Sequence, residues 1–323
     1  MKAVVCTKYG GPEVLQLREV EKPSLKDDEV RIQIYSTTVT AGDCRVRGFS
    51  PPPMFKIPMR FALGFTKPRK PILGVELAGV VEQTGRYVTR FKEGDHVFGS
   101  AGFAFGSYAE YSCLPEKSAL AIKPAGLSFE EAAAVPVGGL TALHFLRRGN
   151  IQSGHKVLIY GASGSVGSYA VQLAKYFGAE VTGVCSSANV ELVRSLGADR
   201  VIDYTRGETI GSGERYSIIF DTVGKSPYPL CVSSLTDTGT YCQAVMSASH
   251  VLRGMWTTVT SGKKVIGGVS TERPEDLQFL AGLIEAGQLK PVIDRHYSLE
   301  QIADAHRYVD QGRKKGNVVI KVR

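Results

Sequence analysis

The chain has few features that would anchor it by covalent or metal chemistry. Its six cysteines lie at 6, 44, 113, 185, 231 and 242, and no two form a Cys-x-x-Cys pair. That scatter argues against a disulfide framework and for reduced, buried thiols, as in a cytoplasmic protein. Long apolar runs are also missing. The longest, Ala132 to His144, is interrupted by Pro136, Gly138 and Gly139 and falls short of the ~20 residues that cross a bilayer. Membrane insertion is therefore not expected. The apolar stretch Ala3 to Cys6 is too short for a signal-peptide core, so the chain is expected to stay in the cytoplasm. There is no internal repeat and no low-complexity tract. The composition, 43% apolar and 22% charged over 323 residues, is that of a globular chain of about two domains.

Charge is the first positive feature. Thirty-nine Lys and Arg stand against 31 Asp and Glu, a net +8, which on its face invites a polyanion as partner. The excess is local: Cys44 to Val75 holds seven basic residues and no acid, and Gln311 to Arg323 holds five and no acid. A phosphate-bearing ligand suits that pattern better than a nucleic acid does. No aromatic RNA-binding platform is present, and nucleic acid is not expected as a partner.

The rhythm of the chain changes once. Up to about residue 120 it reads as strands and turns: Met1 to Thr7, Leu15 to Val20, Glu29 to Thr38, Val75 to Thr84, the Val97-Phe98 segment and Ser107 to Leu114, which together predict a small barrel. Residues 51–71 hold six of the 15 prolines and predict a long irregular excursion. From Ser128 strands and helices alternate. Lys156 to Tyr160, Glu180 to Cys185, Arg200 to Asp203, Tyr216 to Phe220, Thr240 to Ala244 and Lys263 to Gly268 read as the strands of a doubly wound parallel sheet. Helices at Pro274 to Gly287 and Leu299 to Gln311 and a last strand at Asn317 to Val322 are expected to return to the first domain. The fold class is α/β. The expected division is residues 1–124 with 272–323 for one domain and 125–271 for the nucleotide-binding one.

The most informative stretch is Val157-Leu158-Ile159-Tyr160-Gly161-Ala162-Ser163-Gly164-Ser165-Val166-Gly167, an apolar strand, a glycine turn and a helix opening. That order is the context a dinucleotide fingerprint requires, although Ala162 replaces its first glycine. Gly164 lets the backbone approach a pyrophosphate and Gly167 lets the helix pack on the strand, while the helix N-terminus attracts the anion. The position that would carry a ribose-binding acid for NADH is Ser186, followed by Ser187 and Asn189. Hydroxyls there favour a 2′-phosphate, so NADPH is the expected cofactor.

Several separated motifs then resemble one family in order along the whole chain: Met1 to Val4, Val39-Thr40-Ala41-Gly42-Asp43, Gly74 to Val81, Gly94-Asp95-His96-Val97, Ala132 to Pro136 with Thr141, and Gly154 through Gly164, Gly167 and Gln172 to Lys175. The chain resembles the medium-chain dehydrogenase/reductase superfamily, and within it the zinc-free quinone oxidoreductase branch. The resemblance implies a GroES-like β-barrel catalytic domain built from both chain ends, plus a Rossmann doubly wound parallel sheet. Zinc-dependent members carry ligands where this chain has Thr40, Val75 and Val137, none of which offers a thiolate or imidazole. No metal is expected.

The resemblance further implies an NADPH-dependent oxidoreductase that passes hydride to a quinone or an α,β-unsaturated carbonyl. Thr40, Asp43 and Arg45 are the catalytic candidates. Arg45 stands where relatives carry Tyr or Lys, and either orients the acceptor or forms an ion pair with Asp43 or Glu76. Cofactor contacts carried over by position are Thr141, Ala162, Ser163, Gly164, Ser165, Val166, Ser186, Asn189, Tyr204, Val223, Ala244, Val245, Met246, Gly268 and Val269. Lys315 joins them as a 2′-phosphate partner or a solvated turn, and Tyr204 as an adenosine neighbour or simple packing. Alternatives to this activity are an enoyl-thioester reductase of the same fold and a non-catalytic, crystallin-like NADPH-binding or nucleic-acid-binding protein. A homodimer is expected, with Thr257 to Gly268 as a candidate edge strand.

Overall fold

A computed structural model describes residues 1–51, 56–245 and 248–323. Its strands are β1 (Lys2–Cys6), β2 (Leu15–Glu19), β3 (Glu29–Thr38), β4 (Glu76–Thr84), β5 (His96–Ser100), β6 (Tyr111–Pro115), β7 (Leu120–Ile122), β8 (Lys156–Tyr160), β9 (Glu180–Cys185), β10 (Arg200–Asp203), β11 (Tyr216–Asp221), β12 (Leu235–Gln243), β13 (Lys264–Gly267), β14 (Ile293–Ser298) and β15 (Asn317–Lys321). The helices are α1 (Ala41–Gly48), α2 (Lys56–Leu63), α3 (Phe129–Ala133), α4 (Pro136–Arg148), α5 (Ser165–Tyr176), α6 (Val190–Ser195), α7 (Tyr228–Ser233), α8 (Ala248–Thr260), α9 (Pro274–Glu285) and α10 (Ile302–Asp310). Two compact units result. One holds Met1–Val137, Glu272–Ala286 and Pro291–Arg323, the other Gly138–Thr271 with Gly287–Lys290.

The first unit is organised on a seven-stranded sheet of order β14-β15-β3-β4-β5-β7, with β6 also paired to β3. Val30, Ile32 and Ile34 alternate along β3 and are fully buried, the period-two pattern of a half-buried strand. The C-terminal β15 lies between β14 and β3, antiparallel to β3 with Val319 opposite Thr38. The tail therefore completes the sheet that the N-terminus begins. One core cluster gathers Val4, Val39, Leu73, Ile302, Val309 and Ile320 from both ends of the chain.

The second unit is a six-stranded parallel sheet of order β10-β9-β8-β11-β12-β13. Strand order reverses at β8, which pairs with β9 on one side and β11 on the other. In parallel sheets ligands bind beyond the carboxyl ends of strands at such a switch point. Register sets those ends level: Tyr160 is opposite Val184 and Asp221, Asp221 is opposite Gln243, and Gln243 is opposite Gly267.

Two expectations are corrected. Residues 51–71 are not irregular throughout, because α2 occupies Lys56–Leu63. Pro58 lies in its first turn, where its missing N–H is one that an α-helix leaves unpaired anyway. Thr257 to Gly268 is not one edge strand. Thr257 to Thr260 close α8, and only Lys264–Gly267 forms the edge strand β13. The three β-branched residues of the run Thr257-Thr258-Val259 suit a strand in isolation, but the hydroxyls of Thr258 and Thr260 bond back to the carbonyls of Gly254 and Trp256 four residues earlier in the helix.

Candidate active site

In the first unit the polar residues collect where β3, β4 and α1 meet. Thr40 caps α1: its hydroxyl accepts from the Asp43 N–H at 3.1 Å, and the Asp43 carboxylate accepts from the Thr40 N–H at 2.9 Å, a reciprocal capping box. The Thr40 hydroxyl also lies 2.6 Å from Asp43 Oδ2. Burial pushes the Asp43 carboxyl up to about 6 against the bonds from Thr40. Glu76, fully buried on β4, accepts from the Val137 N–H at 2.7 Å and from the Thr38 hydroxyl. Burial lifts it to about 7.

Beneath α1 a second chain of polar groups joins the two ends of the sequence. His306 of α10 places Nδ1 3.3 Å from Cys44 Sγ and Nε2 3.1 Å from the Tyr108 hydroxyl. Burial drives the imidazole down to about 3, so it is neutral, and raises the Cys44 thiol and the Tyr108 hydroxyl above their ordinary ranges. An inert, reduced thiol is what that environment provides.

Arg45 is exposed on α1 and forms no ion pair with Asp43 or Glu76 among the described residues. That alternative for Arg45 is withdrawn. The buried arginine is Arg47, two residues on and turned inward, which donates to Asp310 at 2.7 Å and to the Gly10 carbonyl at 3.2 Å. The basic tail divides in the same way. Lys315 is exposed, and its backbone N–H donates to Asp294 at 2.9 Å. Lys314 instead directs its ammonium to the Gly316 carbonyl, and burial lowers it to about 8 against the pull of Glu76 and Asp294.

In the second unit the glycine turn behaves as its sequence demands. Gly161 has φ +74°, and a Cβ there would stand 2.6 Å from Val223 Cγ1. A Cβ on Gly167 would stand 2.0 Å from the Gly161 carbonyl oxygen, so α5 can pack on β8 only with glycine there. Gly164 is the N-cap of α5 and no side chain caps the turn, which leaves the helix terminus to an anion. Ser165 and Val166 open this helix, and Ala162 and Ser163 in the turn before it are buried. These residues fit a dinucleotide pyrophosphate.

Around that turn, Asn189 donates to Ser163 Oγ at 3.0 Å and Ser186 Oγ at 3.3 Å, tying the end of β9 to the glycine loop. Thr141 on α4 lies 3.2 Å from Ser270 Oγ, which joins the turn after β13 to α4. The Asp221 carboxylate accepts from the N–H groups of Val223, Gly224 and Ser226 at 2.9, 2.7 and 3.0 Å and so shapes the loop after β11. Ala244 donates to the Asp221 carbonyl at 3.0 Å, and Val245 follows it. Gly268 has φ +129° and Val269 is exposed beyond β13. Met246 lies outside the described residues.

Two residues at this edge escaped the sequence reading. Asp203, at the end of β10, accepts from the Ser187 hydroxyl and from Thr205 Oγ1 at 2.6 Å. Strand adjacency places this acid beside Ser187, although in sequence no acid comes after Ser186 and Ser187 until Glu191. Arg206 Nε lies 3.5 Å from Asp203 Oδ2, on the same short turn as the exposed Tyr204. A basic residue directly after the third strand is the signal that could have found it.

A branched sheet closed by both chain ends, and a doubly wound sheet with a glycine turn at its switch point, define a two-unit nucleotide-dependent oxidoreductase. The GroES-like domain of alcohol dehydrogenases matches residues 26–124, and the zinc-binding dehydrogenase family matches residues 196–320. A 2-methylene-furan-3-one reductase of Solanum lycopersicum is 34% identical over 99% of this chain and 79% of its own. The NADPH-dependent alkenal/one oxidoreductase of Arabidopsis thaliana is 31% identical over the same shares. The solved quinone oxidoreductase of Coxiella burnetii superposes with TM-score 0.89 at 28% identity, covering 100% of this chain and 99% of that one. The chain belongs to the medium-chain dehydrogenase/reductase superfamily, and its relatives are quinone oxidoreductases and alkenal/one reductases. It is an oxidoreductase that uses a nicotinamide cofactor.

The zinc implied by one family name does not fit these residues. Thr40, Val75 and Val137 supply no soft or imidazole donor, and both oxygens of Glu76 are engaged by Thr38 and Val137.

Proposed function

We propose that the enzyme reduces quinones and α,β-unsaturated carbonyls with NADPH and without a metal. The observation that carries this reading is the donor chemistry at positions 40, 75 and 137, which leaves no Lewis acid to polarise a simple alcohol or ketone. An acceptor polarised by its own conjugation needs none. NADPH, when bound, supplies the hydride. The chain's part is to hold and orient: the 161–167 turn for the pyrophosphate, Ser186, Ser187 and Arg206 for the 2′-phosphate, and Tyr204 as a flat neighbour for the adenine. The final proton comes from solvent.

A panel of quinones, short enones, saturated alcohols and aldehydes, and enoyl-thioesters tests the acceptor class. Turnover of quinones or enones with none of the alcohols is expected; turnover of alcohols, or of thioesters alone, overturns it. Ser186→Asp and Arg206→Ala are each expected to raise the NADPH Michaelis constant and leave that for NADH unchanged or lower. Equal effects on both cofactors remove these residues from the 2′-phosphate site. We carry a homodimer with this reading, and a light-scattering mass of one chain removes it.

A further inference from the structure

A serine hydroxyl meets a ligand as donor or as acceptor, and its own partners decide which. Ser186 and Ser187, which follow β9, differ in this respect. Ser186 accepts from Asn189 Nδ2 at 3.3 Å and keeps its own proton for an outside acceptor. Ser187 is exposed, and its proton goes inward to the Asp203 carboxylate. Only lone pairs are left for a ligand. Thr205 is committed in the same way: its hydroxyl donates to Asp203 Oδ1 at 2.6 Å, and its Oγ1 accepts from the Ser187 N–H at 3.3 Å.

Asp203 is 5% exposed. The bonds from Ser187 and Thr205 hold its carboxyl below the ordinary range, so it is charged at neutral pH. The charges around this turn do not favour a phosphate. Arg206 has Nε 3.5 Å from Asp203 Oδ2, and its side chain is otherwise largely exposed. Glu208 accepts from the Asp203 N–H at 2.8 Å, and Arg194 on α6 is taken by Glu191 at 2.8 Å. Asp203, Glu208 and Glu191 thus outnumber Arg206 and Arg194 by one.

A 2′-phosphate at neutral pH brings acceptors, so the Ser187 hydroxyl has nothing to offer it. Ser186 and the outer nitrogens of Arg206 are the donors that remain. A ribose 2′-hydroxyl brings a proton, which Ser187 can accept, and the carboxylate behind Ser187 strengthens that bond by polarising it. Asp203 thus does through Ser187, from the neighbouring strand, what an acid at the end of the second strand does directly in NADH sites.

We propose that Asp203, acting through Ser187, keeps this site open to the unphosphorylated ribose, so that the enzyme binds NADH as well as NADPH. Asp203 is the positioning residue and Ser187 the contact. The inference rests on the proposed placement of the cofactor's 2′ group at Ser186, Ser187 and Arg206.

Titration calorimetry with each reduced cofactor, in the absence of acceptor, reads binding without turnover. The wild type is expected to bind both. Ser187→Ala removes the acceptor and should weaken NADH by about tenfold while leaving NADPH unchanged. Asp203→Asn keeps an oxygen for Thr205 and sets an amide N–H against Ser187 Oγ, which turns the serine proton outward. NADPH should then tighten and NADH weaken, widening their ratio by about tenfold or more. A merely structural role would weaken both together. A wild type that does not bind NADH overturns the proposal, as do equal changes in both cofactors. Arg206→Ala separates this inference from the placement beneath it. If it weakens NADPH alone while Asp203→Asn and Ser187→Ala alter neither cofactor, the ribose lies here and Asp203 does not select it. If Arg206→Ala alters neither, the ribose lies elsewhere, and the placement falls together with the proposal.

Discussion

Glu76 and His306 pull the stability of the first unit in opposite directions with pH. Burial raises the Glu76 carboxyl from 4.5 to about 7. Because the folded value lies above the unfolded one, this group favours the fold fully below about pH 4.5, and that contribution is lost as pH rises through 7. Asp43, lifted from 3.8 to about 6, acts in the same sense. His306 falls from 6.5 to about 3, so its contribution is complete above pH 6.5 and is lost as pH drops toward 3. Glu76→Gln keeps an acceptor for Val137 and a partner for Thr38 but carries no charge. It is expected to match the wild type near pH 4 and to exceed it by up to about 3 kcal/mol above pH 7, read from denaturant midpoints at pH 5 and pH 8. A gap that does not widen with pH would show that Glu76 folds as readily ionised as protonated. His306→Gln should flatten the acid limb instead. The sequence singled out Arg45 and Lys315, whereas the fold buries Arg47 and half-buries Lys314 beside them. The motif Val39 to Asp43 does not by itself disclose the helix that begins at Ala41, nor the face shared by Asp43, Cys44 and Arg47 that is buried.

At the scale of elements, α5 and its glycine turn were legible because their demands are local. An apolar strand, a residue that must adopt positive φ, and a glycine without room for a side chain follow one another within a few positions. Gly164 and Gly167 can be separated by experiment. A Cβ on Gly164 meets only the Gly161 carbonyl oxygen, at 3.4 Å, whereas on Gly167 it collides at 2.0 Å. Gly167→Ala is expected to lose about 1–3 kcal/mol of stability by overpacking. Gly164→Ala should melt near the wild type yet weaken NADPH binding severalfold, because its methyl group occupies the space a pyrophosphate approaches. If both variants lose stability equally, the space at Gly164 serves packing and not a ligand. The Asp203 and Ser187 pairing was not legible, because it depends on β9 and β10 being neighbours with Asp203 opposite Cys185. An acid sought about 20 residues after the glycines is sought one strand too early in the chain, at the end of β9 and not of β10. Nor could α2 be seen through its one proline, since Pro58 is harmless only if it falls in a first turn, and the sequence does not say where that turn begins.

For the molecule as a whole, the order of the chain and the order of the sheet differ. The first unit starts at Met1 and is finished only by β15, which sits between β14 and β3 with Val318, Val319 and Ile320 fully buried. The return of the tail was legible from its short run of β-branched apolar residues. Its place inside the sheet was not, because periodicity marks a strand but not its neighbours. Until residues 317–321 arrive, β3 is paired along Ser36 and Thr37 by β4 alone and its other edge is open as far as Thr38, the segment that leads into Thr40 and the α1 cap. Deleting residues 317–323 should therefore unfold the first unit and spare the second, whose six strands all lie within 156–267. Limited proteolysis with mass spectrometry is expected to leave a protected fragment close to residues 138–271, while peptides from 1–137 disappear. Equal protection of both regions after the deletion would mean that β15 is an accessory edge, and that the first unit folds on the strands preceding the nucleotide sheet.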